Sequence, residues 1–193
     1  MADGKLQRRT WGVAAGERVI GLVARFDPMK GHRLFLAAAA RLAAVHGGIR
    51  FVCVGEGPKL YSDQLKSEAC RLGLENRVLW AGATDEMAPV YNALDIATST
   101  SLFGEGFSNA IGEAMACAVP CVVTDVGDSA WLVDDPRCIV PVNDAEALCA
   151  SWLALLSEPT RSAETGRAAR RRIERHFSVA NLAERTEKVL ARR

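Results

Sequence analysis

Aromatic side chains make up only 6% of the 193 residues. That is too few for the rows of stacking rings on which single-stranded nucleic-acid binders lay their bases. A surplus of one charge is also missing: 24 Lys and Arg stand against 23 Asp and Glu, a formal +1. No overall field therefore draws nucleic acid or a membrane surface. The longest apolar run, 34–40, is far below the ~20 residues of a membrane span. The opening MADGKLQRRTWGV carries charge but no apolar signal core. No C-x-x-C pair occurs among Cys53, Cys70, Cys117, Cys121, Cys138 and Cys149, and His32, His46 and His176 do not cluster with them. Zinc-ligand spacing is thus absent, and no metal is expected. Most of these cysteines lie in apolar runs such as Phe51-Val52-Cys53-Val54 and read as buried, reduced thiols. The expectation is a soluble, cytoplasmic chain in a reducing compartment.

What is present is ordinary globular composition, 49% apolar and 24% charged. A domain of this length removes ~70% of its extended-chain surface from water and needs no covalent staple. Short apolar runs at 18–25, 50–55, 77–80, 95–99, 120–124 and 138–141 predict strands. Between them, 31–46, 59–72, 87–93, 108–118 and 145–156 predict helices, and the chain from about 161 onward reads as charged helix. The first ten or so residues are polar and are expected to fray. The strands are continuous apolar runs rather than alternating ones, as when both faces are covered. Such alternation builds one Rossmann-like, doubly wound parallel α/β sheet with right-handed crossovers. Ligands of these sheets bind beyond the carboxyl ends of the strands.

Three loops after strands carry unusual chemistry. The first places Arg25 and Lys30, five residues apart, at a helix start. Cations are unfavourable there unless an anion neutralises them, and phosphate is the natural anion. The second, Val54-Gly55-Glu56-Gly57-Pro58, has two glycines, but Leu60 stands where a dinucleotide fingerprint needs a third. It reads as a tight turn that a ligand can approach. The third runs from Ser101 through Glu105-Gly106-Phe107-Ser108-Asn109-Ala110 to Glu113. It offers free N–H donors at a helix start, two carboxylates eight positions apart, and Gly112 where a side chain would block access. Donors for an anion and carboxylates for hydroxyls together suit a sugar nucleotide. Paired carboxylates also suit a glycosidase or a metalloenzyme.

At this point the residues resemble a known family. Glu105 to Glu113, within Glu105-Gly106-Phe107 … Glu113-Ala114-Met115-Ala116, is similar to the E-x7-E signature of retaining glycosyltransferases of family 4, with the GT-B fold. The segment from Arg25 to Gly31 resembles that family's G-R-x-x-x-x-K-G. Val54 to Pro58 resembles its V-G-x-G-P, and Pro120 to Gly127 its P-V-V-A-T-x-x-G. The match runs in order from about 18 to 190. It implies the C-terminal, donor-binding half of a two-domain enzyme, with an N-terminal acceptor-binding domain absent from this chain. The implied layout is a linker-like or disordered start (1–17), a nucleotide-sugar-binding domain (18–160) and C-terminal helices packing on it (161–193).

The resemblance also implies roles. Arg25 and Lys30 grip the pyrophosphate of a UDP-, GDP- or ADP-sugar; with Glu105, which meets sugar hydroxyls, they form the expected catalytic set. Glu113 contacts the ribose. Backbone N–H groups of Phe107, Ser108, Asn109 and Ala110 meet the distal phosphate and sugar. Gly55 and Gly82 lie along the donor, the latter in the loop expected to receive the base. No cofactor or metal is implied, and the acceptor is a saccharide or a lipid-linked one, reached in the cytoplasm or at the inner membrane face. Three features depart from the family: Ala24 and Ala118 stand at common glycine positions, and Asp128-Ser129-Ala130-Trp131 replaces G-x-x-E. That suggests a subfamily, in bacterial polysaccharide assembly. Alternatives are a non-catalytic nucleotide-sugar-binding module, a sugar-nucleotide epimerase-like domain, and a nicotinamide oxidoreductase that the missing glycine fingerprint disfavours. The basic stretch 167–176 reads as a solvated helix face, or alternatively as a patch near an anionic membrane. His32 reads as a helix-start side chain, and Trp131 and Trp152 as core or interface anchors.

Overall fold

In the computed structural model, which describes residues 3–191, six parallel strands form one sheet: β1 (Arg18–Val23), β2 (Ile49–Val54), β3 (Val78–Gly82), β4 (Ile96–Ser99), β5 (Cys121–Thr124) and β6 (Ile139–Val140). Their spatial order is β3-β2-β1-β4-β5-β6. The helices are α1 (Gly4–Thr10), α2 (His32–Val45), α3 (Lys59–Arg71), α4 (Met87–Ala93), α5 (Asn109–Ala116), α6 (Ser129–Val133), α7 (Ala145–Ser157), α8 (Pro159–His176) and α9 (Val179–Leu190). Every strand read from the sequence is present, with ends displaced by a residue or two.

The strands are apolar along their whole length because both faces are covered. On one face Ile20, Leu22, Phe51 and Cys53 pack under α2, α3 and α7 with Phe35, Leu65 and Trp152. On the other, Val19, Val52, Val54 and Val123 pack under α4 and α5 with Tyr91, Ile111 and Met115. Trp152 is fully buried, and its indole N–H donates to Thr98 Oγ1 at 3.0 Å. The buried Cys53, Cys121 and Cys138 thiols are pushed upward in pKa by desolvation, Cys138 to about 11. Cys70, by contrast, is exposed.

The expectation of a disordered start is corrected for the described part of 1–17. Asp3 accepts from the N–H groups of Lys5 and Leu6 and so caps α1. Arg8 reaches across to Asp95 at 2.6 Å and to the Ala93 carbonyl at 2.7 Å. A Cβ on the buried Gly4 would stand 2.2 Å from the Asn92 carbonyl oxygen, so α1 lies directly on α4. Local polarity misled because the partners of Arg8 are 85 and 87 residues away in sequence.

The helical reading of 161 onward holds for α8 and α9. At Gly166 a Cβ would stand 2.1 Å from the Ala118 carbonyl oxygen, so α8 crosses the end of α5 at close range. α6 was not anticipated: five residues are too few to display a helical period. Among the described residues no helix is long and apolar enough to cross a membrane.

Candidate functional site

The strand order reverses direction between β1 and β4, and the loops leaving these two strands part to open a crevice. A cleft of about 360 Å³ lies there. Arg25 and Lys30 line it from the β1 side. Ser101, Glu105, Phe107, Ser108, Asn109 and Ala110 line it from the β4 side. Seven of the ten residues expected at a donor site are thus gathered on one surface.

The β1 loop is a short 3-10 turn, Pro28–Lys30, capped by Asp27, whose carboxylate accepts from Met29 N–H at 2.8 Å. It is fastened to the β4 loop. Leu102 N–H donates to the Met29 carbonyl at 2.8 Å, and Thr100 Oγ1 donates to the Lys30 carbonyl at 2.8 Å. Gly31 sits at φ +66°, and a Cβ there would stand 1.9 Å from the Thr100 carbonyl oxygen. Only glycine lets the two loops approach this closely.

Lys30 Nζ donates to both oxygens of Glu105, at 2.8 and 3.1 Å. Both side chains are largely buried, Glu105 at 7% exposure. Ser101 Oγ also donates to Glu105. The β5 side completes the support: Thr124 Oγ1 donates to the Ser101 carbonyl at 2.6 Å.

α5 begins at the cleft wall. Its first helical bond runs from Gly112 N–H to the Ser108 carbonyl at 2.9 Å. The N–H groups before it have no acceptor within the helix and carry the positive end of its dipole. Ser108 occupies the N-cap but makes no side-chain capping bond. Arg25, with no ion pair among the described residues, faces the same space. The Arg25 guanidinium, the Lys30 ammonium and the start of α5 thus face one space, an arrangement whose chemistry suits an anion.

Three expected residues stand apart from this cleft. Glu113 lies one turn along α5, exposed, where its Oε2 accepts from the Tyr91 hydroxyl at 2.9 Å. Gly55 and Gly82 lie at the ends of β2 and β3, joined by a bond from Gly55 N–H to the Gly82 carbonyl at 2.8 Å. Gly55, at φ +136°, approaches the Ala24 backbone so closely that a Cβ would stand 2.1 Å from its oxygen. Gly112 keeps space for Phe107, whose ring edge would be 3.2 Å from a Cβ there.

Ser101, Thr124 and Tyr91 are site residues that sequence reading missed. Hydroxyls such as these, Ser101 at the end of Thr98-Ser99-Thr100-Ser101 and Tyr91 and Thr124 beside apolar residues, give no signal until folding brings a carboxylate or carbonyl to them. His32 opens α2 as expected but is fully buried, against the Phe26 ring at 4.9 Å. Neither ring nitrogen has a well-formed hydrogen bond among the described residues, and desolvation lowers its pKa from 6.5 to about 4, against a smaller opposing influence of the Asp27 backbone. Trp131 is half exposed and meets Phe177 edge-on at 4.9 Å; Phe177 in turn meets Phe107 at 5.3 Å beside the cleft.

Comparison with known proteins gives a consistent picture. Residues 17–158 match the family model of the group 1 glycosyl transferases. A D-inositol 3-phosphate glycosyltransferase of Segniliparus rotundus is 33% identical over 172 residues, covering 86% of this chain and 38% of that protein. The chain therefore spans well under half the length of that curated relative. The crystal structure of Anabaena Alr3699/HepE in complex with UDP and glucose superposes with a TM-score of 0.90 at 25% identity, over 98% of this chain and 52% of that one. The C-terminal domain of a group 1 glycosyl transferase, LpcC, from Francisella tularensis shares the fold with a TM-score of 0.77 at 19% identity, over 93% of this chain and all of that one.

Proposed function

The chain belongs to the group 1 glycosyl transferases, and from that premise we propose that it binds a nucleoside diphosphate sugar between the β1 and β4 loops. The sugar is then transferred, with retention of anomeric configuration, to an acceptor held by an N-terminal domain outside this chain. The observation that carries the reading is the convergence of Arg25, Lys30 and the start of α5 on one cleft that also holds the Glu105 carboxylate. Two cations and a helix dipole suit a diphosphate, and each charge-assisted bond contributes ~1.5–3 kcal/mol. Glu105 then accepts from sugar hydroxyls, and Glu113, one turn further on, from the ribose. Gly82, where a Cβ would meet nothing within 4 Å, leaves backbone open at the end of β3 where the base rests, with Gly55 bonded to it from the end of β2.

In this mechanism the protein's task is electrostatic. Arg25, Lys30 and the N–H groups at Phe107 to Ala110 stabilise the charge that grows on the departing diphosphate. No metal is required for that step, so binding is expected to persist in EDTA. The acceptor is a saccharide or lipid-linked saccharide in polysaccharide or glycolipid assembly, met in the cytoplasm or at the inner face of the membrane.

The test is a thermal-shift panel of UDP, GDP and ADP with their sugars. At least one is expected to raise the melting temperature, and Lys30→Ala and Glu113→Ala are each expected to shrink that shift. A panel without any shift sinks the reading. Adding the acceptor domain and acceptor then separates a transferase from a module that only binds.

A further inference from the structure

Lys30, the lysine of the anion site, already has an anion. Its ammonium is held by both oxygens of Glu105 at 2.8 and 3.1 Å, with the carboxylate almost entirely out of solvent. A phosphate oxygen that reaches Lys30 must share it with that carboxylate. Two anions on one ammonium lie within about 6 Å of each other, inside a Debye length of ~8 Å and shielded by protein rather than water.

Glu105 has little room to retreat. Ser101 Oγ holds the carboxylate, and Thr124 Oγ1 holds the Ser101 backbone at 2.6 Å. Behind Glu105, the α-carbon of Gly127 comes so close that a Cβ would stand 1.8 Å from the Glu105 carbonyl oxygen. The carboxylate is therefore a fixed feature of the cleft.

We infer that Glu105 is a discriminating residue: a built-in anion that favours the nucleoside diphosphate sugar over the bare nucleoside diphosphate left after transfer. The inference rests on the donor-site reading above. In the sugar nucleotide the distal phosphate is doubly substituted, by the anhydride on one side and the sugar ester on the other, and carries one negative charge, and its sugar brings hydroxyls that donate to Glu105. In the bare diphosphate the same phosphate gains close to a second charge near pH 7 and loses those donors. Repulsion grows just as its compensation disappears, so Glu105 weakens retention of the spent donor.

The experiment is calorimetric titration of this chain at pH 7.5 with UDP, GDP and ADP, and with UDP-glucose, GDP-mannose and ADP-glucose. Wild type is compared with Glu105→Gln and Glu105→Ala, each first shown folded by circular dichroism. For whichever nucleotide binds, Glu105→Gln is expected to tighten the bare diphosphate about threefold to tenfold and to weaken its sugar by a similar factor. The preference between them then shifts at least about ninefold, about 1.3 kcal/mol. Glu105→Ala gives the same signs. A wild type that binds while both variants hold the bare diphosphate equally or less tightly overturns the inference and leaves the donor site standing. Failure of every nucleotide to bind wild type overturns the donor site itself.

Discussion

The Tyr91 hydroxyl donates to Glu113 Oε2 at 2.9 Å, from a tyrosine that is 2% exposed to a glutamate that lies at the surface. Burial first, and then the bond to Glu113, push the Tyr91 pKa well above the ordinary range. Its proton is therefore retained at any physiological pH, and α4 sets the direction of the Glu113 carboxylate. Tyr91→Phe removes the bond with little loss of volume. It is expected to weaken a bound ribonucleoside diphosphate about threefold to tenfold while leaving the 2′,3′-dideoxy analogue nearly unchanged. Equal losses for both in titration calorimetry would assign Tyr91 a structural role alone.

Gly127, at φ +57°, is packed against the Glu105 backbone. Gly127→Ala adds a methyl at an impossible distance in a left-handed conformation, and a loss of about 2–4 kcal/mol is expected. Urea denaturation measures the loss. Nucleotide binding by the folded remainder should fall as well, because the β4 loop must move to admit the methyl.

Ala118 ends α5 at φ +59°, a left-handed conformation that costs an L-residue about 1–2 kcal/mol. Ala118→Gly relieves that strain, partly offset by the greater freedom of glycine in the unfolded chain. A gain of up to ~1 kcal/mol in urea unfolding is expected, without change in nucleotide affinity.

His32 makes stability pH-dependent. Its folded pKa, about 4, lies below the unfolded 6.5 because burial opposes the charged ring, with Asp27 opposing that shift in part. The unfolded chain thus binds the proton first as pH falls. The contribution is complete above pH 6.5 and is lost as pH drops toward 4, amounting to roughly 3 kcal/mol. His32→Leu should flatten that part of the stability profile. An unchanged acid limb in the variant would refute this account.

Asp95 joins the start of the chain to the sheet. It accepts from Arg8 at 2.6 Å, Arg18 at 2.9 Å and Val19 N–H at 2.7 Å. Asp95→Ala is expected to cost about 2 kcal/mol. Amide exchange over 4–10 should quicken more than exchange in β1, because α1 loses its main polar tether.

Strand positions were legible because apolar runs such as 49–54 are dictated by burial on both faces, a local property of composition. The parallel order and the cleft at its reversal follow from handed crossovers, so the general location of the site was legible too. That Arg25, Lys30 and the start of α5 share one surface was legible because a loop after each of two strands carries them. The same logic misplaced 4–10 as frayed and missed the hydroxyls that hold the glutamates. Those outcomes depend on contacts such as Arg8 with Asp95 and Tyr91 with Glu113, which have no periodic signature.

The sequence by itself determined a doubly wound sheet, its strands, and a cluster of cations and carboxylates beyond the strand ends. These follow from hydrophobic periodicity and from residue chemistry at short range. Only the tertiary structure decided how the charges are paired. Lys30 and Glu105, 75 positions apart, meet because the β1 and β4 loops are pinned together at Gly31 and Thr100. Glu113, one turn along α5 from the cleft wall, is held by the Tyr91 hydroxyl. Charge pairing depends on distances of a few ångströms, and those are set by packing between elements that no local pattern records.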